Sequence, residues 1–113
     1  MSFYLGIGAR SGVLITELEQ AVAALELTEV AGVGTLDRRG FLMEAFAAGR
    51  GGPLLLFSQA ELAQVRTPGV VLRTGAPSVA EASALLAAGP GARLVVPKRP
   101  FARVTVAVAE RSL

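Results

Sequence analysis

The sequence predicts an α/β fold, a layered α-β-α sandwich with a mixed, mostly parallel sheet and a C-terminal antiparallel hairpin. Apolar, strand-like runs alternate with helical stripes along the chain, which is the pattern of parallel strands joined by helices. Ser-x-x-Glu capping boxes begin at Ser58 and Ser78 and mark the starts of two helices. The last two apolar runs are too close together for a parallel crossover, so they predict an antiparallel hairpin.

The first half of the chain predicts two strands and two helices. Phe3–Ala9 is apolar and β-compatible, and it leads into a glycine-rich loop. Apolar residues at spacings of three, four and three then mark a helical stripe over Ile15–Leu25. Val30–Leu36 predicts the second strand, and Ala-rich Phe41–Ala48 predicts a short helix that ends before a glycine.

The second half begins with Pro53–Phe57, a continuous apolar run that predicts a strand buried on both faces. The two capping boxes follow, and the second helix should end at Ala88, before a glycine. Between them, Val65–Leu72 is ambiguous because a Pro-Gly pair interrupts it. The final strands are predicted at Arg93–Val96 and Arg103–Ala109, with the intervening Pro97–Phe101 as their connection.

Length and hydropathy indicate one domain over residues 1–113, inside the cell. A chain of 113 residues suits a single core, and the sequence shows neither a repeat nor a linker. No run of about 18 uncharged apolar residues is present to cross a membrane. The N-terminus has no cationic segment ahead of an apolar one, so we expect a cytoplasmic protein with no membrane partner.

The composition excludes many kinds of active site, because the chain contains no His, Cys or Trp. Thiol nucleophiles, Ser-His-Asp triads and metal sites built from thiolate or imidazole are therefore absent, and we expect neither a metal nor a cofactor. Catalysis would depend on carboxylates, hydroxyls, arginines, backbone amides, Tyr4 or Lys98.

Positive charge is concentrated in the second half of the chain. Residues 57–113 carry seven basic residues against three acids, whereas residues 1–56 carry four against six. This asymmetry fits either an anionic ligand or a solvated basic face. With one Tyr, five Phe and no alternation of basic and aromatic residues, the sequence does not indicate nucleic-acid binding.

Three predicted loops fall at the carboxyl edge of the parallel strands, where ligands of α/β sheets bind. The first, Gly6–Gly12, has glycines that let backbone amides approach a ligand, and the helix after it offers N–H groups to an anion. Arg10 and Ser11 add side-chain donors. The G-x-G-x-x-x-G spacing matches neither a dinucleotide fingerprint nor a P-loop, so a tight turn with close strand–helix packing is the alternative.

The other two loops contain the chain's only aspartate and the second capping box. Asp37 can act as a base, as a hydrogen-bond acceptor or as the partner of Arg38 or Arg10, or it can cap the helix that follows. Ser78 is explained by capping, although the amides of Gly75 and Ala76 can also face an anion. Lys98, the only lysine, is predicted to be a solvated cation in the hairpin turn.

Four stretches, in order and at matching spacing, resemble a single protein family. They are GIGARSG at 6–12, GTLD at 34–37, GAPSVAEA at 75–82 and the pair LVVPKR and VTVA within 94–107. This is the family of the CobE protein and the C-terminal domain of CbiG, both of cobalamin (vitamin B12) biosynthesis. The resemblance covers nearly the whole chain and implies a role in building the corrin ring.

The resemblance implies two related functions. CbiG-like proteins, which carry additional N-terminal domains, are associated with opening the δ-lactone of cobalt-precorrin-5A and releasing acetaldehyde. We expect this chain to be closer to stand-alone CobE, and to bind a precorrin or corrin intermediate, alone or with other enzymes of the pathway. The predicted ligand-binding residues are Gly8, Arg10, Ser11, Gly12, Asp37, Arg38, Gly75 and Ser78.

The alternative hypothesis is an enzyme, a cobalt-precorrin-5A hydrolase of the CbiG type. In that case Asp37 is the predicted base, and loop amides would stabilise the oxyanion. A nucleic-acid-binding module is the least favoured hypothesis, for the compositional reasons given above.

Overall fold

The structure, a computed structural model, describes residues 2–10, 12–27, 29–36, 53–65, 78–101 and 103–111. The strands are β1 (Ser2–Ala9), β2 (Gly32–Leu36), β3 (Leu54–Phe57), β4 (Arg93–Phe101) and β5 (Val104–Arg111). The helices of these ranges are α1 (Ile15–Ala23), α2 (Gln59–Ala63) and α3 (Val79–Ala88). The helix predicted at Phe41–Ala48 and most of Val65–Leu72 lie outside the described residues.

The five strands form one mixed sheet in the order β3-β2-β1-β5-β4. The β1–β2 and β2–β3 pairs are parallel, whereas β5 is antiparallel to both β1 and β4. Four strands therefore run in one direction, and their last residues lie at the same edge as the first residue of β5. We call this edge the carboxyl edge. The mixed, mostly parallel sheet and the C-terminal hairpin predicted from the sequence are confirmed.

Large and small side chains are segregated to opposite faces of the sheet. One face carries Leu5, Ile7, Val33, Val104, Val106 and Val108, which form a buried cluster with Leu18, Ala21 and Val22 of α1. On the other face, Ala107 and Ala109 form a cluster with Ala80, Ala84 and Ala88 of α3. Because side chains alternate along a strand, this division follows directly from the sequence of β1, β2 and β5. It places α1 and α3 on opposite sides of the sheet.

Helix α3 lies unusually close to the sheet because two strand glycines face it. A Cβ atom added to Gly6 would overlap the carbonyl oxygen of Ala80 and lie 2.5 Å from the backbone nitrogen of Ala84. A Cβ atom on Gly34 would lie 2.6 Å from the carbonyl oxygen of Ser83. Gly6 therefore serves close strand–helix packing, the alternative that the sequence left open for it.

Serine caps begin both predicted helices. The hydroxyl of Ser58 accepts from the Glu61 N–H at 3.1 Å, and Glu61 Oε1 accepts from the Ser58 N–H at 2.9 Å, which closes the capping box. The Ser78 hydroxyl accepts from the Glu81 N–H at 3.1 Å. Helix α3 ends before Gly89, whose φ of 89° is in the left-handed region that favours glycine.

The connection predicted between the last two strands is wrong, because Pro97–Phe101 continues strand β4. The register with β5 shifts twice, between Leu94 and Val96 and between Val96 and Arg99. Each shift inserts one extra residue into β4, as a β-bulge does. The prolines that suggested a turn are tolerated because β4 is an edge strand of the described sheet, where a missing N–H costs no ladder bond.

Strand β3 is also less buried than its apolar run predicts. The strand forms at Leu54–Phe57 and pairs with β2, as expected. However, Leu56 is 41% exposed, so the prediction of burial on both faces is wrong. In the described sheet β3 has a neighbour on one side only, which leaves part of its surface open.

We predict that Gly6→Ala destabilises the fold by about 2–3 kcal/mol, because overpacking a filled core forces the backbone to move. The matched control is Gly8→Ala, whose Cβ would lie at an ordinary 3.5 Å from the Val79 Cβ. Urea unfolding of both variants measures the difference. Equal stability of the two variants would show that the α3 approach is not tight.

Candidate functional site

The carboxyl edge brings the described part of the first predicted loop beside the start of α3. Gly8 is the second-last residue of β1, and Arg10 and Gly12 follow that strand directly. A Cβ atom on Gly8 would lie 3.5 Å from the Val79 Cβ and 3.6 Å from the Ala80 nitrogen. The first turn of α3, which Ser78 caps, therefore lies against the end of β1. Gly8, Arg10, Gly12 and Ser78 share this edge, as the sequence predicted.

Four other predicted site residues, Ser11, Asp37, Arg38 and Gly75, lie outside the described residues. The strand that directly precedes Asp37 is nevertheless well fixed. The Thr35 hydroxyl is buried and donates to the carbonyl oxygen of Ile7 at 2.7 Å, in addition to the parallel pairing of the two strands. The ends of β1 and β2 are thus held side by side.

The loop after β1 is fastened to the turn between β4 and β5. The Arg10 N–H donates to the carbonyl oxygen of Arg103 at 2.9 Å, and the Val13 N–H donates to that of Arg10 at 3.2 Å. Gly12 has a φ of 85°, so the last glycine of the motif supplies a left-handed turn. The exposed Arg10 side chain is therefore carried on a backbone that is hydrogen-bonded on both sides.

Glu17 lies in the first turn of α1, where the sequence predicted free backbone N–H groups that could bind an anion. Its Oε1 accepts from the Leu14 N–H at 2.9 Å. Arg103 binds the same carboxylate with two nitrogens, Nη2 at 3.1 Å from Oε1 and Nε at 3.2 Å from Oε2. The Leu14 N–H and, to a lesser extent, Arg103 lower the pKa of Glu17. An external anion would have to compete with Glu17 for these two donors.

Three other cations at this end of the sheet have no carboxylate partner among the described residues: Arg10, Lys98 and Arg99. Arg99 is exposed and lies over the ring of Phe101, with Cζ 5.8 Å from the ring centroid. Arg10 and Arg99 are exposed and Lys98 is half-buried, so each side chain is at least partly open to solvent.

Lys98 is a residue that sequence reasoning placed wrongly. It lies within β4 and is half-buried, so the prediction of a solvated turn cation is wrong. One sequence feature argued against a turn at this position. No Gly, Asn or Asp lies between Arg93 and Phe101, and tight turns favour those residues.

Two apolar side chains are exposed at the helix starts on this edge. Leu14, at the start of α1, is 56% exposed, and Val79, at the start of α3, is 37% exposed. They lie on opposite sides of the sheet and flank the end of β1. The edge therefore combines unpaired cations, loop amides and apolar contacts, which suits an anionic ligand with a flat apolar body.

In the described part of the chain, no group of three or more acidic residues is arranged to hold a metal ion. None of the described helices is long and apolar enough to cross a membrane.

Comparison with known proteins identifies relatives along nearly the whole chain. A family profile described as cobalamin synthesis G C-terminus matches residues 3–109. The chain is similar to the solved structure of the cobalamin biosynthesis protein chiG from Agrobacterium tumefaciens str. C58, with 32% identity and a TM-score of 0.77. That alignment covers 98% of this chain and 99% of the other. No curated protein sequence matches significantly.

Two further solved structures share the fold. CobE, a protein from the cobalamin (vitamin B12) biosynthetic pathway, is 29% identical with a TM-score of 0.77, over 96% of this chain and 92% of that one. A structure described as a cobalamin biosynthesis protein G homolog from Sulfolobus solfataricus has 19% identity and a TM-score of 0.76. The alignment covers 99% of this chain but 37% of the Sulfolobus chain.

We predict that Glu17 titrates below the ordinary glutamate pKa of 4.5, and that Arg103→Gln raises its pKa only part of the way back. The reason is that the Leu14 N–H, the larger cause, remains in the variant. A carboxylate with a lowered folded-state pKa stabilises the protein at neutral pH, and this contribution is lost as the pH falls through that pKa.

Carbon-detected NMR titration of the Glu17 carboxyl group measures this shift, and Arg111→Gln at the far end of β5 is the control. A Glu17 pKa at or above 4.5 in the unsubstituted protein would contradict the described geometry.

Proposed function

This chain belongs to the family described as cobalamin synthesis G C-terminus, and we propose that it binds a precorrin or corrin intermediate at the carboxyl edge. Membership follows from the family match over residues 3–109 and from the 32% identity that extends over nearly all of the chiG chain. The chain is thus a cobalamin biosynthesis protein of the CbiG and CobE type, as its sequence motifs indicated. The ligand and its site are our proposal.

The chemistry of the edge supports this ligand class. Corrin precursors have a rim of acetate and propionate carboxylates around a flat, apolar macrocycle. Arg10 and Arg99 offer guanidinium groups that bind carboxylates in a bidentate manner, and exposed Leu14 and Val79 offer apolar contacts to a ring face. The observation that carries the proposal is the exposed Arg10 side chain, which has no ion-pair partner among the described residues. Arg10 directly follows β1, whose residue Gly8 lies against the start of α3.

Several contacts must act together for useful affinity. An exposed ion pair contributes about 0–1 kcal/mol, so one arginine alone would leave binding very weak. A polycarboxylate satisfies two or three cations at once, and burial of its ring against apolar side chains adds about 25 cal/mol per Å². This requirement favours a large polyanionic ring over a small anion such as phosphate.

The predicted loop residues complete the proposed site. Ser11 and the amide of Gly75 would add donors for carboxylate oxygens, and Arg38 would add a further cation. Asp37 would accept from the N–H groups of a metal-free ring. In this proposal Asp37 orients the ligand, and binding requires no chemical step.

We predict that hydrogenobyrinic acid, a metal-free corrin with a carboxylate rim, changes its visible spectrum when the protein is added in excess. Arg10→Ala should weaken binding about two- to fivefold, the effect of one exposed ion pair. Arg111→Ala removes another exposed arginine, at the opposite end of the sheet, and should leave affinity unchanged. Affinity should also fall with added salt, because exposed charges are screened.

Two outcomes would contradict the proposal. One is the absence of both a spectral change and co-elution at protein excess. The other is an equal loss of affinity in Arg10→Ala and Arg111→Ala, which would mean that net charge, rather than this edge, attracts the ligand.

A further inference from the structure

Glu81 is a fully buried acid in the first turn of α3. Its Oε1 accepts from the Ser78 hydroxyl at 3.1 Å, and its Oε2 accepts from the backbone N–H of Lys98 at 3.1 Å. No Arg or Lys side chain within the described ranges forms an ion pair with it. Burying an acid without a cationic partner is costly, so a compensating role is expected.

Comparison with the Ser58 capping box shows that the Glu81 side chain does not close a box of its own. At Ser58 the glutamate turns back and accepts from the backbone N–H of its own cap residue. In the same Ser-x-x-Glu pattern at Ser78, the glutamate reaches across to β4, 17 residues away in sequence. The same local motif is therefore used for a tertiary contact.

The strand segment that Glu81 contacts needs an acceptor. Lys98 lies between Val96 and Arg99, where the register of β4 against β5 shifts. A residue in a bulge leaves the ladder, and its backbone N–H must find another partner. The Glu81 carboxylate supplies that partner and ties the bulge to the start of α3.

We propose that Glu81 is a positioning residue for the ligand site, and that Lys98 is a further carboxylate-binding residue of that site. By holding the Lys98 backbone, Glu81 fixes the segment of β4 that carries Lys98 and Arg99, which lies two to three residues before the strand ends at Phe101. Both cations are thereby kept within two to three residues of the carboxyl edge. This inference rests on the proposed function, because it assigns these cations to the same ligand.

The test compares Glu81→Ala with Glu81→Gln and with a matched control, Glu110→Ala. Glu110 is another buried acid, 5% exposed, but it pairs with Arg93 and lies opposite Phe3, far from the carboxyl edge. The Gln variant keeps an oxygen that can accept from the Lys98 N–H, whereas the Ala variant does not. Hydrogen exchange of the Lys98 amide reports positioning without any ligand, and titration with hydrogenobyrinic acid reports binding.

We expect Glu81→Ala to exchange the Lys98 amide about tenfold faster, the effect of losing a buried hydrogen bond. Its dissociation constant should rise about three- to tenfold, since half-buried Lys98 and exposed Arg99 are both loosened. Glu81→Gln should restore most of both values. Glu110→Ala should lower the melting temperature without changing either, and Lys98→Ala should weaken binding about two- to fivefold.

The positioning role is overturned if the Lys98 amide exchanges equally fast in Glu81→Ala and the unsubstituted protein. It is also overturned if Glu110→Ala weakens binding as much as Glu81→Ala, because the effect would then be general destabilisation. The ligand role of Lys98 is overturned if Lys98→Ala binds normally. If the unsubstituted protein binds no corrin, the proposed function fails, while amide exchange still decides whether Glu81 holds the strand.

Discussion

The backbone of helix α3 packs directly against the backbone of the sheet, because Gly6 and Gly34 have no side chain to separate them. This approach is the constraint on which the remaining arrangement depends. It requires small residues on the facing side of α3 and β5, so the large aliphatic side chains are confined to the other face, with α1. It also carries the first turn of α3 to the end of β1, where Val79 and Ala80 meet Gly8. The same contact thus sets both the core and the position of the candidate site.

Some polar and charged groups at the carboxyl edge bind one another, whereas others have no partner among the described residues. Glu17 occupies Arg103 and the Leu14 N–H, and Glu81 occupies the Lys98 N–H, so these donors stabilise the loops themselves. The side chains of Arg10, Lys98 and Arg99 keep no described carboxylate partner. Because the chain has no His or Cys, it offers no imidazole or thiolate to ligate cobalt. In our account, a corrinoid is held by its carboxylate rim and ring face.

Sequence patterns predicted the elements whose signals are local. The spacing at Ile15–Leu25, the serine caps and the alternation of β5 each reflect neighbours within a few residues, and the described helices and strands follow them. Predictions failed where a distant partner decides the outcome. Pro97 and Lys98 indicated a turn, but pairing with β5 and the Glu81 contact hold them in a strand. Likewise, the Ser78 cap was predictable, but Glu81 does not close the predicted capping box, because its carboxyl group reaches a bulge in β4 that no local pattern shows.

The central claim is that a corrin binds at the carboxyl edge, and amide chemical-shift mapping tests it most directly. Hydrogenobyrinic acid would be titrated into ¹⁵N-labelled protein while the backbone amide signals are followed. We expect shifts at Gly8, Arg10, Gly12 and Val79, with little change at Gly89, Gly91 and Arg111 near the opposite edge. Shifts centred on that opposite edge, or spread evenly over the sheet, would contradict it.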